Sequence, residues 1–113
     1  MGRIKDLTIN SMHKKLTEIV TEFTKGILGN GSNRSKCFMV CSPLSSYLSF
    51  LGYENDIVEG EIEEGDAVYE HYWLKYDDVI IDPTASQFKT PDGSVMPDVY
   101  IGKKPNWYKV IDN

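Results

Sequence analysis

Apolar positions early in the chain recur at helical spacing. Leu16, Ile19, Val20, Phe23, Ile27 and Leu28 fall on one stripe. Thr8, Asn10 and Ser11 offer N-caps before it, and Gly29-Asn30-Gly31 ends it. Residues 1–7 read as a short, poorly ordered basic leader. A polar loop, 29–36, follows. Cys37, Cys41, Leu44, Leu48 and Leu51 then mark the face of a second helix closed by Gly52. Pro43 interrupts that pattern, because an interior proline removes a backbone hydrogen bond. Either the helix begins at Cys37 and bends or has an irregular first turn, or a shorter one begins at the Ser42-Pro43 cap.

Beyond Gly52 the period changes. Asp56 to Glu63 reads as a strand with Val58, Gly60 and Ile62 on one face, and Glu64-Gly65-Asp66 turns the chain. Tyr69 to Ile81 is rich in aromatic and β-branched residues around a turn at Asp77-Asp78, and Pro83 ends the return strand. A two-residue turn pairs Tyr76 with Val79, Lys75 with Ile80, Leu74 with Ile81 and Trp73 with Asp82. His71, Trp73 and Asp82 then share a face, with His71 a diagonal neighbour of Asp82 at roughly 7–8 Å. A three-residue turn would send Asp82 to the opposite face. Tyr100-Ile101 suggests a short edge strand, and Trp107-Tyr108 is expected to fold back onto the core. The fold class is α+β: an antiparallel sheet of about three to four strands, the Cys37 helix packed on one face and a second, N-terminal helix. Residues 1–113 form one domain, with a core from 37 to 88 and a wrapping tail from 89 to 113.

Composition narrows the function. The 113 residues carry a formal charge of -5, which argues against a general nucleic-acid binder. No apolar run reaches the ~20 residues of a membrane span, and no secretory leader is visible, so the cytoplasm is the expected address. Eight acidic residues and no Lys or Arg lie between Tyr53 and Glu70. They read as a solvated strand face, or as a rim that favours basic partners. Two cysteines make no disulfide framework.

The chemistry follows from three side chains. A thiol at a helix start is pushed towards thiolate, and the backbone amide of Cys37 is placed to serve an oxyanion. A carboxylate holding one imidazole nitrogen leaves the other for a reacting group. Cys37, His71 and Asp82 are thus candidate nucleophile, base and orienter, with Cys41 the alternative nucleophile. A Cys37/Cys41/His71 metal site lacks a fourth ligand, and no cofactor motif is present. His13 receives no role.

Cys37 with Gly52-Tyr53, Val58-Glu59-Gly60, His71-Tyr-Trp73 and Ile81-Asp82-Pro83-Thr84 resembles the transglutaminase-like branch of the papain-like cysteine enzymes, in its small bacterial and phage-type members. The resemblance covers residues 37–88. It implies a Cys37-His71-Asp82 triad that hydrolyses an amide or related bond by way of a thioester, with no cofactor. Trp73, Asn33 and Gln87 are candidate substrate contacts, Trp73 as a cleft wall or else a core aromatic. The substrate expected is a protein or peptide, basic ones being favoured. The rival readings are a non-catalytic binding or inhibitor protein that keeps the fold, and a structural or assembly protein.

Overall fold

The computed structural model describes residues 2–29 and 36–111, with side chains from residue 14 onward. Helix α1 (Gly2–Leu28) begins well before the expected caps. The first residues contain no proline, so nothing stops the helix from extending through the expected leader. It ends where Gly29 takes a positive φ of 58° and its amide donates to the Lys25 carbonyl at 2.7 Å.

Helix α2 (Cys37–Phe50) is continuous, so it starts at Cys37 with Pro43 inside it. Pro43 lies on the exposed side, where the i−4 carbonyl it leaves unbonded, that of Met39, can reach water. The helix closes in a Schellman arrangement: Tyr53 N donates to Leu48 O (2.8 Å) and Gly52 N to Ser49 O (3.1 Å), with Gly52 at φ 100°. Val40, Cys41, Leu44 and Leu48 are its buried residues. Leu51, the last position of the expected stripe, is exposed.

Five strands follow: β1 (Asp56–Glu64), β2 (Ala67–Tyr76), β3 (Val79–Asp82), β4 (Tyr100–Gly102) and β5 (Tyr108–Val110). They form one antiparallel sheet in the order β4-β3-β2-β1-β5, one strand more than the largest expected count. The extra strand is the Tyr108 segment, whose three residues are too short to display a period. The turn between β2 and β3 has two residues. Tyr76 meets Val79, Lys75 meets Ile80 and Leu74 meets Ile81. Asp77 takes a φ of 54°, a left-handed conformation that aspartate tolerates better than most residues.

Strand alternation divides the core. Leu74 and Ile81 face α2 and pack with Leu16, Val20, Cys41, Leu44 and Leu48. Trp73 and Ile80 point the other way and pack with Ile62, Ala85, Phe88, Met96 and Tyr108. Helices cover one face, and the chain after β3 covers the other. Gly60, opposite His71 in register, belongs to this second layer. A Cβ there would meet the Trp73 ring and lie 2.5 Å from the Lys109 carbonyl oxygen, so only glycine admits this approach.

Candidate active site

His71 and Asp82 lie on the face away from α2, and both are fully buried. His71 Nε2 is 2.7 Å from Asp82 Oδ2. This is the diagonal contact that the two-residue turn permits. The carboxylate is held from two further directions. Tyr108 Oη donates to Oδ2 at 2.6 Å, and the Thr84 amide donates to Oδ1 at 3.1 Å. The Thr84 contact spans two residues and fixes the carboxylate through its own backbone, as an aspartate before a turn commonly does. The imidazole is walled by aromatic rings: Phe88 edge-on at 4.8 Å, Trp73 at 6.1 Å and Tyr108 at 6.2 Å.

Because Nε2 is taken by Asp82, Nδ1 is the nitrogen left for a reacting group. Cys37, half-buried at the first position of α2, is close enough to His71 for each to shift the other's pKa. The thiol reaches the imidazole past the end of β3, where Tyr72 lies open. Pairing between β2 and β3 stops at Leu74–Ile81, and Pro83 has no amide to offer the next position. The backbone of Tyr72 therefore turns to the cysteines. Its carbonyl accepts from Cys41 Sγ at 3.5 Å, and its amide is among the groups that lower the Cys37 pKa.

The electrostatics separate the two thiols. Partial burial alone would raise the Cys37 pKa. Hydrogen bonding from His71, then from the Tyr72 amide, the charge of His71 and the Phe38 amide together outweigh it, so the thiol sits below its ordinary value. Burial likewise acts to lower His71. The Asp82 carboxylate and the Cys37 thiolate override it and push the imidazole up to about 9. The two shifts move the groups towards a thiolate–imidazolium pair. Cys41 is driven the other way, well above the usual thiol range, first by burial and then by the charges of Asp82 and Cys37. It is a core residue one turn below the site.

The other candidates separate clearly. Gln87 lies beside the pair, its Nε2 at 3.4 Å from His71 Nδ1 and donating to Thr84 Oγ1 at 3.0 Å. Trp73 is 1% exposed and packs on Tyr108 with ring centroids 5.1 Å apart. It backs the histidine from within the core, which accords with the core-aromatic alternative for this residue. Asn33 lies outside the described residues. Tyr108 was missed as a site residue. Its aromatic character signalled burial, but nothing local signals a carboxylate partner that precedes it by 26 residues.

The acidic run also finds its place. Glu59, Glu61 and Glu63 alternate on one face of β1, across from Tyr72, Glu70 and Val68. Glu59 is the first cause, before burial and Glu70, of the upward shift of the Tyr72 phenol. These carboxylates lie on the sheet face beside α2. Among the described residues no group of three or more His, Cys, Asp or Glu side chains is arranged to hold a metal ion, and no helix is long and apolar enough to cross a membrane.

No protein-family model, no curated protein and no solved structure matches the chain.

Proposed function

We propose that the protein is a cysteine-dependent acyl-transfer enzyme of transglutaminase-like chemistry that hydrolyses an amide or related bond through Cys37, His71 and Asp82. The observation that carries this reading is the His71 Nε2–Asp82 Oδ2 contact of 2.7 Å, with the imidazole and the thiol at the start of α2 each shifting the other's pKa. Cores seldom retain an ion pair for stability alone, since burying two charges costs several kcal/mol per ion before pairing. A nucleophile–base pair is a use that matches the residue types.

In this mechanism the Cys37 thiolate attacks the carbonyl carbon, forming a C–S bond and placing negative charge on the carbonyl oxygen. The first i→i−4 bond of α2 is Val40 N to Lys36 O at 3.1 Å, so the amides before it have no helical acceptor, and we assign that of Cys37 to the oxyanion. Lys36 supplies no side-chain cap to compete for it. His71 passes its Nδ1 proton to the leaving amine as the C–N bond breaks, and a thioester remains. Water then loses a proton to His71, attacks the thioester and releases the acid, restoring the thiolate. Asp82 keeps the imidazole oriented throughout. Gln87, its Nε2 bonded to Thr84 Oγ1 and 3.4 Å from His71 Nδ1, stands at this side of the imidazole and is our candidate substrate contact there. We take the substrate to be protein or peptide-like, with positive charge favoured by Glu59, Glu61 and Glu70.

Alkylation tests the reading directly. Treated with iodoacetamide near neutral pH and weighed intact, the protein should gain one adduct, mapped to Cys37, while Cys41 stays unmodified. His71→Ala should slow that reaction at least about tenfold, the equivalent of one pKa unit. A Cys37 that reacts no faster than a free thiol, in the parent and in His71→Ala alike, would sink the catalytic reading.

A further inference from the structure

The hydrogen-bonding parity of β2 leaves a stretch of its edge open beside the thiol. Glu64 pairs with Ala67 around the two-residue turn Gly65-Asp66, and the pair flanking such a turn exchanges both backbone hydrogen bonds. Odd-numbered residues of β2 are therefore bonded to β1, and even-numbered residues point to the opposite edge. Tyr76 and Leu74 meet β3 there, and Tyr72 meets the two cysteines. Glu70 and Val68 come next. Among the described residues nothing pairs with their amides and carbonyls. The edge is accessible: Val68 is 56% exposed, Tyr69 47%, and Glu70 is exposed as well. Open strand edges are usually shortened, covered, or guarded by lysine or proline. This one carries neither Lys nor Pro between Ala67 and Tyr72.

We propose that this edge is the substrate-docking rail: an extended polypeptide pairs with Val68 and Glu70 as an added strand, and its next carbonyl arrives at Cys37. The inference rests on the catalytic reading above and names its substrate class. Four backbone groups spaced by roughly 7 Å, the two-residue stride of a strand, match the alternate amides and carbonyls of an extended peptide. Continuity with the site comes from Tyr72, one stride further along, whose carbonyl accepts from Cys41 Sγ at 3.5 Å, one helical turn from Cys37. A second copy of the chain is a poor occupant of the same edge. It would bring its own run of acidic residues against Glu61, Glu63, Glu64, Asp66 and Glu70, with no Lys or Arg in that stretch to offset them.

The test compares labelling rates of Cys37 by three electrophiles: chloroacetamide, a β-branched Val/Thr pentapeptide chloromethyl ketone, and the same pentapeptide with an N-terminal chloroacetyl group. The two peptides approach in opposite chain directions. At least one is expected to label Cys37 ten or more times faster than chloroacetamide. Methylation of its alternate backbone nitrogens should abolish the advantage with the protein unaltered. Glu70→Pro, which removes the outward amide and leaves the β1 ladder intact, should bring the peptide-to-chloroacetamide rate ratio down to that of the methylated peptide. If chloroacetamide labels Cys37 rapidly and neither peptide is faster, or the advantage survives methylation, the docking rail is wrong and the catalytic reading stands. A Cys37 inert to all three reagents overturns both. A dimer in light scattering that Glu70→Pro dissociates would overturn the rail in favour of a second copy.

Discussion

Tyr108 Oη and His71 Nε2 converge on one oxygen of Asp82, at 2.6 and 2.7 Å. The tyrosine comes from β5 at one edge of the sheet, the aspartate from β3 on the far side of β2, and all three side chains are fully buried. The carboxylate is thus clamped between the hairpin and a strand that arrives later in the chain. Removing the phenol alone, by Tyr108→Phe, keeps the packing on Trp73 and deletes one donor to a charged group. We expect a loss of about 1–3 kcal/mol in urea unfolding, with alkylation of Cys37 little changed because His71 keeps its oxygen. Slowed alkylation at unchanged stability would reverse the roles given to the two donors.

Asp82→Asn removes the charge that most raises the His71 pKa. With the imidazole neutral near pH 7, the thiolate loses its main counter-charge. Labelling of Cys37 should slow at least about tenfold at neutral pH and recover as the pH is raised towards the ordinary thiol range. The pH–rate profile of alkylation measures this, and a profile identical to the parent's would exclude Asp82 as orienter.

Stability against pH carries a second signature. Taken alone, His71 has its pKa raised from 6.5 to about 9, so its contribution is complete below 6.5 and is lost as the pH rises through about 9. Cys37, lowered from 9.0, contributes stability that is present above 9.0 and lost as the pH falls through its folded value. Wherever, between 6.5 and 9.0, the folded thiol has lost its proton while the imidazole keeps its own, the unfolded chain likewise holds one proton, on sulfur, and the two contributions cancel. Cys37→Ala breaks the cancellation while Asp82 still holds the imidazole proton. Relative to the parent, its stability should decline from about pH 6.5 upward in urea titrations at successive pH values. Parallel curves for the two proteins would rule out the ion pair.

Gly60→Ala tests the packing behind the site. The added methyl has no room between the buried Trp73 ring and the Lys109 carbonyl. Thermal unfolding should show a loss of about 1–3 kcal/mol or more, and β5 should loosen first, seen as faster amide exchange at Tyr108 and Val110. Unchanged exchange there would mean that the sheet accommodates the methyl by another route.

What could be read from the residues was whatever is local or periodic. The β2–β3 register was legible because Asp77-Asp78 is a strong turn and period two carries its consequence out to His71 and Asp82. Cys37 could be favoured over Cys41 because the helical stripe puts the second cysteine one turn deeper, where it is 0% exposed. Pro43 left the helix start ambiguous, since whether an interior proline is tolerated depends on which side of the helix meets water. The Tyr108–Asp82 contact and the fifth strand were invisible for a different reason. They are long-range pairings made by a three-residue segment, and no period or turn announces them. Trp73 was assigned to the right face, but composition alone does not say whether an aromatic there lines an opening or is sealed behind Tyr108.

The turn at Asp77-Asp78 also constrains how this protein can diversify. Register in a hairpin is a whole-number quantity, so one residue gained or lost there sends Asp82 away from His71 at a stroke, with no intermediate that works half as well. Descendants of this sequence can alter the turn by substitution but not by length. Insertions that reshape what the site accepts must therefore fall elsewhere, and the exposed run from Pro91 to Val95, between β3 and β4, is where we expect them.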